Sequence, residues 1–242
     1  MKFSIIVPVY NERATVRALL DQVLAVELPG VEKEIVIVEG NSTDGTRQIV
    51  KEYEGKPGVR AIYEEAPRGK GAAVRAGLAA ITGDVVLIQD GDLEYSTKDY
   101  PAVLEPIQAG RAEIVFGSRV RTSTQHWQFR RYAGFERFYG FFVNLGGVLF
   151  TTLFNVLYGT SLSDGATMFK LFRAGDLRKI TLRSDGFDYD WEISGKLVRL
   201  GRRIEEVPVV YKARSRAEGK KIRFWRDGTR VAIAIVRYRF SD

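Results

Sequence analysis

The chain predicts an α/β fold built on a mainly parallel, doubly wound sheet, and three observations carry that reading. Short β-rich runs at 3–9, 34–38, 59–63, 85–88 and 113–116 alternate with helical stretches at 14–26, 46–53 and 71–80, the β-α-β order that a parallel sheet requires. Several of these runs, Val85-Val86-Leu87-Ile88 among them, are apolar throughout, as strands covered on both faces are. The fourth run leads into Asp90-Gly91-Asp92, which sets two carboxylates at the carboxyl end of a strand, where open α/β sheets bind ligands.

The elements follow in order. After the second run, Asn41-Ser42-Thr43-Asp44-Gly45 carries a helix-start signal whose backbone N–H groups can face an anion. Gly69-Lys70-Gly71 opens the third helix, and Asp90-Gly91-Asp92 closes the fourth run. Hard carboxylate oxygens at such a position suit Mg²⁺ or Mn²⁺, and a polar turn is the plainer alternative. Residues 138–163 then contain no Asp, Glu, Lys or Arg. The length permits a membrane span. Phe141, Phe142, Leu145, Val148, Leu149 and Val156 recur at helical spacing, while Asn144, Thr151, Asn155 and three glycines dilute the other side. This pattern favours a helix lying at a membrane interface over a core helix, and either over a span. Trp127, Arg130, Arg131, Tyr132 and Arg137 precede it as interfacial anchors would. Residues 176–180 and 190–200 read as helices, 204–212 as a strand that Pro208 assigns to an edge, and 222–240 as a helix ending in Arg237, Tyr238 and Arg239. No repeat or linker divides the chain, so residues 1–242 form one expected domain.

Composition narrows the chemistry. The 242 residues are 45% hydrophobic and 28% charged, ordinary for a globular protein. With no cysteine, disulfides and thiolate metal sites are excluded, and with His126 as the only histidine, zinc chemistry and a histidine-activated nucleophile are disfavoured. The N-terminus lacks a signal-peptide pattern, so a cytoplasmic protein is expected. A net charge of +7 favours an anionic partner. The basic residues cluster at 111–137 and 212–226.

Several phrases then resemble the inverting family 2 glycosyltransferases of the GT-A fold, in the branch of dolichol-phosphate mannose synthase and bacterial polyprenyl-phosphate glycosyltransferases. They are Ile6-Val7-Pro8-Val9-Tyr10-Asn11-Glu12, Asn41-Ser42-Thr43-Asp44-Gly45-Thr46, Gly69-Lys70-Gly71 and Asp90-Gly91-Asp92, followed by Phe116-Gly117-Ser118-Arg119, Ser163-Asp164-Gly165, Phe169-Lys170-Leu171-Phe172-Arg173 and Glu206-Val207-Pro208-Val209. The resemblance covers nearly the whole chain and implies a nucleotide-sugar and metal half at 1–118 and an acceptor half at 119–242. It implies a nucleotide-sugar donor of the GDP-mannose or UDP-glucose type, held by Pro8, Tyr10, Glu12, Glu39, Asp44, Lys70 and Asp90. Mg²⁺ or Mn²⁺ would sit on Asp92 with Asp90 and Glu94. One departure stands out: Glu39, Gly40 and Asn41 occupy the place where the family usually has two aspartates and a glycine.

The implied acceptor is a polyprenyl phosphate, already anionic at neutral pH because its second pKa is about 6. It needs positioning rather than deprotonation. Arg119, Arg131 and Arg214 or Arg216, joined by Lys221, are the expected phosphate-holding residues, since arginine binds phosphate through two parallel hydrogen bonds. The implied location is peripheral, on an anionic membrane at its cytoplasmic face, with the uncharged segment against lipid. A rival reading is a soluble family 2 enzyme acting on a saccharide hydroxyl, with Asp190 as general base. Capping of the helix at 190–200 is the plainer role for that residue. Nucleic acid is not an expected partner, because a basic surface for it would not require paired acids at a strand end.

Overall fold

Among the described residues, seven strands and eight helices make three layers. The computed structural model describes residues 1–121, 136–214 and 224–241, aside from the side chains of 136–139 and 224–225. The strands are β1 (Lys2–Val9), β2 (Glu32–Glu39), β3 (Val59–Tyr63), β4 (Val85–Ile88), β5 (Ile114–Ser118), β6 (Lys170–Arg173) and β7 (Ile204–Pro208). They form one sheet in the order β3-β2-β1-β4-β6-β5-β7. The helices are α1 (Val16–Ala25), α2 (Thr46–Lys51), α3 (Lys70–Ala80), α4 (Tyr100–Gln108), α5 (Glu136–Tyr158), α6 (Ala174–Leu177), α7 (Tyr189–Arg199) and α8 (Phe224–Phe240).

The apolar strands are covered on both faces. Phe3, Ile5, Val7 and Val9 of β1 pack with Leu19, Leu20 and Val23 of α1 and with Tyr100, Val103 and Leu104 of α4. Ile6, Val36 and Val86 point the other way, into a core completed by Val74 of α3, Phe154 of α5, Ile193 and Leu197 of α7 and Ile235 of α8. Truncating a large buried side chain such as Phe154 to alanine costs about 3–5 kcal/mol in such a core.

Two elements depart from the sequence expectation. β6, absent from the expected strands, runs antiparallel between β4 and β5 in a sheet whose other pairings are parallel. It reaches the sheet after the long excursion through α5, so no right-handed crossover dictates its direction. Helix α4 was not expected either, because Pro101 and Pro106 interrupt its pattern. Pro101 falls in the first turn, where the missing N–H has no helical partner to lose. The last strand stops at Pro208 on the outer edge of the sheet. Residues 209–214 leave that edge and cross back over the carboxyl ends of the strands, with Val209 N donating to Ser118 O at 3.2 Å and Lys212 N to Glu94 O at 2.8 Å.

Helix α5 carries apolar residues on both faces, with Phe154 in the core and Phe150, Leu153 and Leu157 packed against it. Gly140, Asn144, Thr151 and Phe154 are buried, while Phe141, Phe142, Leu145, Val148, Leu149 and Val156 are exposed, Val156 at 76%. Among the described residues its stretch Gly140–Tyr158 is the one helix long and apolar enough to cross a membrane. α8, packed beside it, adds exposed Ile233, Val236 and Phe240.

Candidate functional site

The strand order reverses between the parallel neighbours β1 and β4, and a cavity of about 980 Å³ opens over their carboxyl ends. This is the switch point at which ligands of open α/β sheets bind. The segment after β1 supplies Pro8, Tyr10 and Glu12, the start of α3 supplies Lys70, and the segment after β4 supplies Asp90, Asp92 and Glu94. Arg119 enters from the end of β5 and Arg214 from the returning arm after β7. Glycine makes the close packing possible: a Cβ at Gly91 would lie 2.7 Å from Val9 Cγ1, so the Asp90-Gly91-Asp92 turn can fold over β1 only without a side chain there. Gly71 is held in the same way against the Ser184 carbonyl, which brings the 184–186 segment over the start of α3.

The loops after β1 and β2 are tied together. Asn11 adopts φ of 49°, its backbone N–H donates to Ser42 Oγ at 2.9 Å, and its Oδ1 accepts from Thr43 N at 2.9 Å. Positive φ is tolerated better by asparagine than by most residues. Asp44 accepts from Thr46 N at 3.0 Å and Arg13 N at 3.0 Å. Glu39 accepts from Ser42 N at 2.7 Å and pairs with Arg47 Nε at 2.5 Å.

Not every residue expected at the site reaches the cavity lining. Glu39 and Asp44, expected on the nucleotide, lie outside the cavity lining and spend their carboxylates on holding the loop. Burial opposes ionisation of Glu39, yet the Ser42 bonds and the Arg47 guanidinium outweigh it and hold its pKa below the usual range. The N–H groups of residues 42, 43 and 46, expected to face an anion, are bonded within the loop instead. Glu64, Asp185, Phe187, Tyr211, Arg226 and Arg230 line the cavity although the sequence singled out none of them as cavity residues. Only the chain's path past α3 and α8 brings them in. Arg131, Arg216 and Lys221 lie outside the described residues.

At the cavity floor carboxylates crowd around two cations. Lys70 Nζ pairs with Asp90 Oδ1. Arg214 Nη2 donates to Asp92 Oδ2 at 2.6 Å, and its Nη1 donates to Glu12 Oε2 at 2.8 Å. Its backbone N–H donates to Glu94 Oε1 at 2.7 Å, while Tyr211 Oη donates to Glu94 Oε2 at 2.8 Å. Burial, followed by the neighbouring Asp90 and Glu94 carboxylates, pushes Asp92 up to about 7 despite Arg214. A carboxylate held this far above its ordinary value marks a place that favours additional positive charge. As arranged, no group of three carboxylates among the described residues stands ready to hold a metal. The hard-oxygen donor set nonetheless fits a divalent cation, and the Arg214 guanidinium seated on it is a positive charge already in that place.

Arg119 is placed differently. Its Nε and Nη2 donate to Asp164 Oδ2 and Oδ1, both at 2.7 Å, with side-chain exposures of 1% and 2%. Burial alone would oppose its charge, but Asp164 more than compensates and raises its pKa. Asp164 is fixed in turn by Glu206, which accepts from Ser163 N at 2.8 Å and Asp164 N at 2.9 Å. Thr151 Oγ1 of α5 accepts from Gly165 N at 3.1 Å, joining this loop to the apolar helix. Asp190 lies in the first turn of α7, makes no capping bond, and pairs with the buried Lys170. Burial pushes the Asp190 carboxyl up and the Lys170 ammonium down. Asp190 does not line the cavity.

Comparison with known proteins agrees with this architecture. The pattern of glycosyl transferase family 2 matches residues 4–181. The chain is 33% identical over 133 residues to a dolichol-phosphate mannosyltransferase of Pyrococcus furiosus, covering 54% of this chain and 37% of the relative. It is 26% identical over 220 residues to an undecaprenyl-phosphate 4-deoxy-4-formamido-L-arabinose transferase of Edwardsiella ictaluri, covering 90% and 62%. The chain thus spans less than two thirds of these relatives' length. Among solved structures, glucosyl-3-phosphoglycerate synthase from Mycobacterium tuberculosis, bound to Mn²⁺, UDP and phosphoglyceric acid, superposes with a TM-score of 0.70 at 18% identity, covering 100% of this chain and 79% of that one. Mannosyl-3-phosphoglycerate synthase from Rubrobacter xylanophilus gives 0.68 at 20% identity, covering 98% and 72%. The shared fold is GT-A.

Proposed function

The chain belongs to glycosyl transferase family 2, and from that premise we propose that it moves a hexose from a nucleotide-diphosphate sugar to a polyprenyl phosphate at a membrane surface. The observation that carries this reading is helix α5: one face packs on the core through Asn144, Thr151 and Phe154, and a second, apolar stripe faces outward. Lipid, unlike water, stabilises such a face. Thr151 on the same helix bonds to the loop that fixes Arg119 at the cavity. The names of the Pyrococcus and Edwardsiella relatives, both lipid-phosphate sugar transferases, support the acceptor class.

In this reading Pro8, Tyr10 and Glu12 face the nucleoside, and Lys70 faces the diphosphate. Asp92, with Asp90 and Glu94, would hold Mg²⁺ or Mn²⁺. That ion, when bound, supplies Lewis-acid stabilisation of the leaving diphosphate. An acceptor phosphate oxygen attacks the anomeric carbon as the bond from that carbon to the diphosphate oxygen breaks, which inverts the centre and releases the nucleoside diphosphate. No proton has to be removed, which suits a cavity with no histidine among its described lining residues and whose neighbour Asp190 is paired inside the core. Arg119, committed to Asp164, contributes charge at the cavity wall, and Arg214, Arg131, Arg216 and Lys221 remain the candidates for direct phosphate contact. Proximity and charge neutralisation then supply most of the rate. The reading places the protein at the cytoplasmic face of the membrane.

The direct test is a panel of GDP- and UDP-sugars with Mn²⁺ or Mg²⁺ and a short polyprenyl phosphate, scoring sugar carried into the organic phase. Transfer from one donor class, lost with EDTA and restored by the metal, is expected. Transfer only to soluble saccharides overturns the acceptor assignment. Replacing Phe141, Phe142 and Leu145 together with serine is expected to lower turnover of long-chain acceptors in vesicles at least about tenfold more than that of water-soluble short-chain ones, in line with the transfer free energy of three large apolar side chains. Equal losses remove the interfacial role.

A further inference from the structure

Resting on the metal-dependent reading above, we infer that Arg214 is a resident cation that occupies the divalent-ion seat and must swing off it before the ion can bind, so that a filled seat frees Arg214 for an incoming phosphate.

The geometry is specific. Asp92 Oδ1 is turned to the backbone N–H of Glu94 at 3.0 Å, which leaves Oδ2 as its outward oxygen, and Arg214 Nη2 holds that oxygen at 2.6 Å. The same guanidinium spans to Glu12 at 2.8 Å. A Mg²⁺ ion needs its oxygens at about 2.0–2.1 Å in near-octahedral array. A guanidinium hydrogen-bonded to the outward oxygen occupies the approach and adds like-charge repulsion at short range. The two cations therefore compete for Asp92.

Release requires little else to move. The arm is anchored before Arg214, by Val210 N to Asp99 Oδ2 at 2.8 Å and by Lys212 N to Glu94 O at 2.8 Å. Rotation of one long side chain, half-buried at the cavity with 16% of its surface exposed, suffices. A guanidinium released there stays beside the cavity, always charged, and its fork matches a phosphate as well as it matched the carboxylates. Ion and anion sites are then positively linked, since whatever favours the displaced arginine favours both. Arg214 is thus a positioning residue whose availability reports that the donor side is loaded.

The experiment measures binding and does not depend on turnover. Mn²⁺ alone is titrated against wild type and Arg214→Gln by electron paramagnetic resonance. The variant is expected to bind at least about tenfold more tightly, equivalent to about 1.4 kcal/mol. In parallel, wild-type protein is digested with trypsin, which requires a free guanidinium, and cleavage after Arg214 is followed by mass spectrometry as a share of total cleavage. Saturating Mn²⁺ is expected to increase that share severalfold. This second measurement needs no variant and stands if Arg214→Gln fails to fold. Tight Mn²⁺ binding that leaves the Arg214 cleavage share unchanged overturns the inference while leaving the donor reading intact. Absence of Mn²⁺ binding in both proteins removes the inference together with the metal dependence on which it rests.

Discussion

Arg119 and Arg214 reach the same cavity and are held in opposite ways. Arg119 meets one carboxylate, Asp164, through two bonds of equal length in a setting closed to solvent, and that carboxylate's loop is fixed by Glu206 and Thr151. Arg214 instead spans Glu12 and Asp92 and takes Glu94 at its backbone, in a cluster where Asp92 stays hard to ionise. The first is a matched pair, one guanidinium against one carboxylate. The second is a site in which acids outweigh the cation present, and its cation is exchangeable. Buried ion pairs cost much to break and contribute little beyond geometry, whereas a carboxylate cluster still short of positive charge is where function is expected.

The contrast can be broken most forcefully at the second site. Asp92→Asn is expected to lower kcat/KM for sugar transfer by at least about 10³, the scale of losing a key electrostatic group, while urea denaturation shows no loss of stability. A correctly folded Asp92→Asn enzyme with near-normal turnover would make the cluster merely structural.

The matched pair should respond the other way round. Asp164→Asn leaves Arg119 charged and buried without its carboxylate, a change that costs about 3–5 kcal/mol. In a chain of this size that corresponds to a fall in Tm of roughly 6–20 °C. If Asp164→Asn melts with the wild type, the pair is not what holds the 163–165 loop, and the distinction between the two arginines is lost.

A smaller effect sharpens the comparison through pH. In the metal-free protein Asp92 titrates near 7, against about 3.9 for an unfolded aspartate. Between these values the folded state binds the extra proton and the unfolded state does not, so stability is greatest below about pH 4 and declines as pH rises towards 7. Asp92→Asn lacks this penalty. The variant is expected to equal the wild type near pH 4 and to exceed it by up to a few kcal/mol at pH 8, read from parallel urea melts in EDTA. A difference that runs the opposite way would show that Arg214 more than balances the cluster.

Legibility differed between the loops and the cavity. The Asp90-Gly91-Asp92 turn could be found because its strand, its glycine and its acids lie within eight residues of one another. Glu39, a departure from the family phrase, and Asp44 bond within their own loop, since a loop with positive-φ Asn11 and Asn41 needs its N–H groups capped. Glu64, Asp185, Arg226 and Arg230 gave no signal, because nothing near them in the chain marks a cavity wall. For α5 the periodicity was plain, but whether the apolar stripe faced the core or the outside depended on which surface found Phe154's neighbours in α7 and α8.

The amino-acid order by itself determined the alternation of strands and helices, the acids at the end of β4, the uncharged helix and the exclusion of thiol chemistry, because each is written in residue type and short-range spacing. Only the tertiary structure decided that β6 runs antiparallel, that Arg119 closes on Asp164 and that Arg214 settles on Asp92. Those choices join residues 45 and 122 positions apart. Partners so distant are selected by competition for charge and space in the folded protein, which no local pattern records.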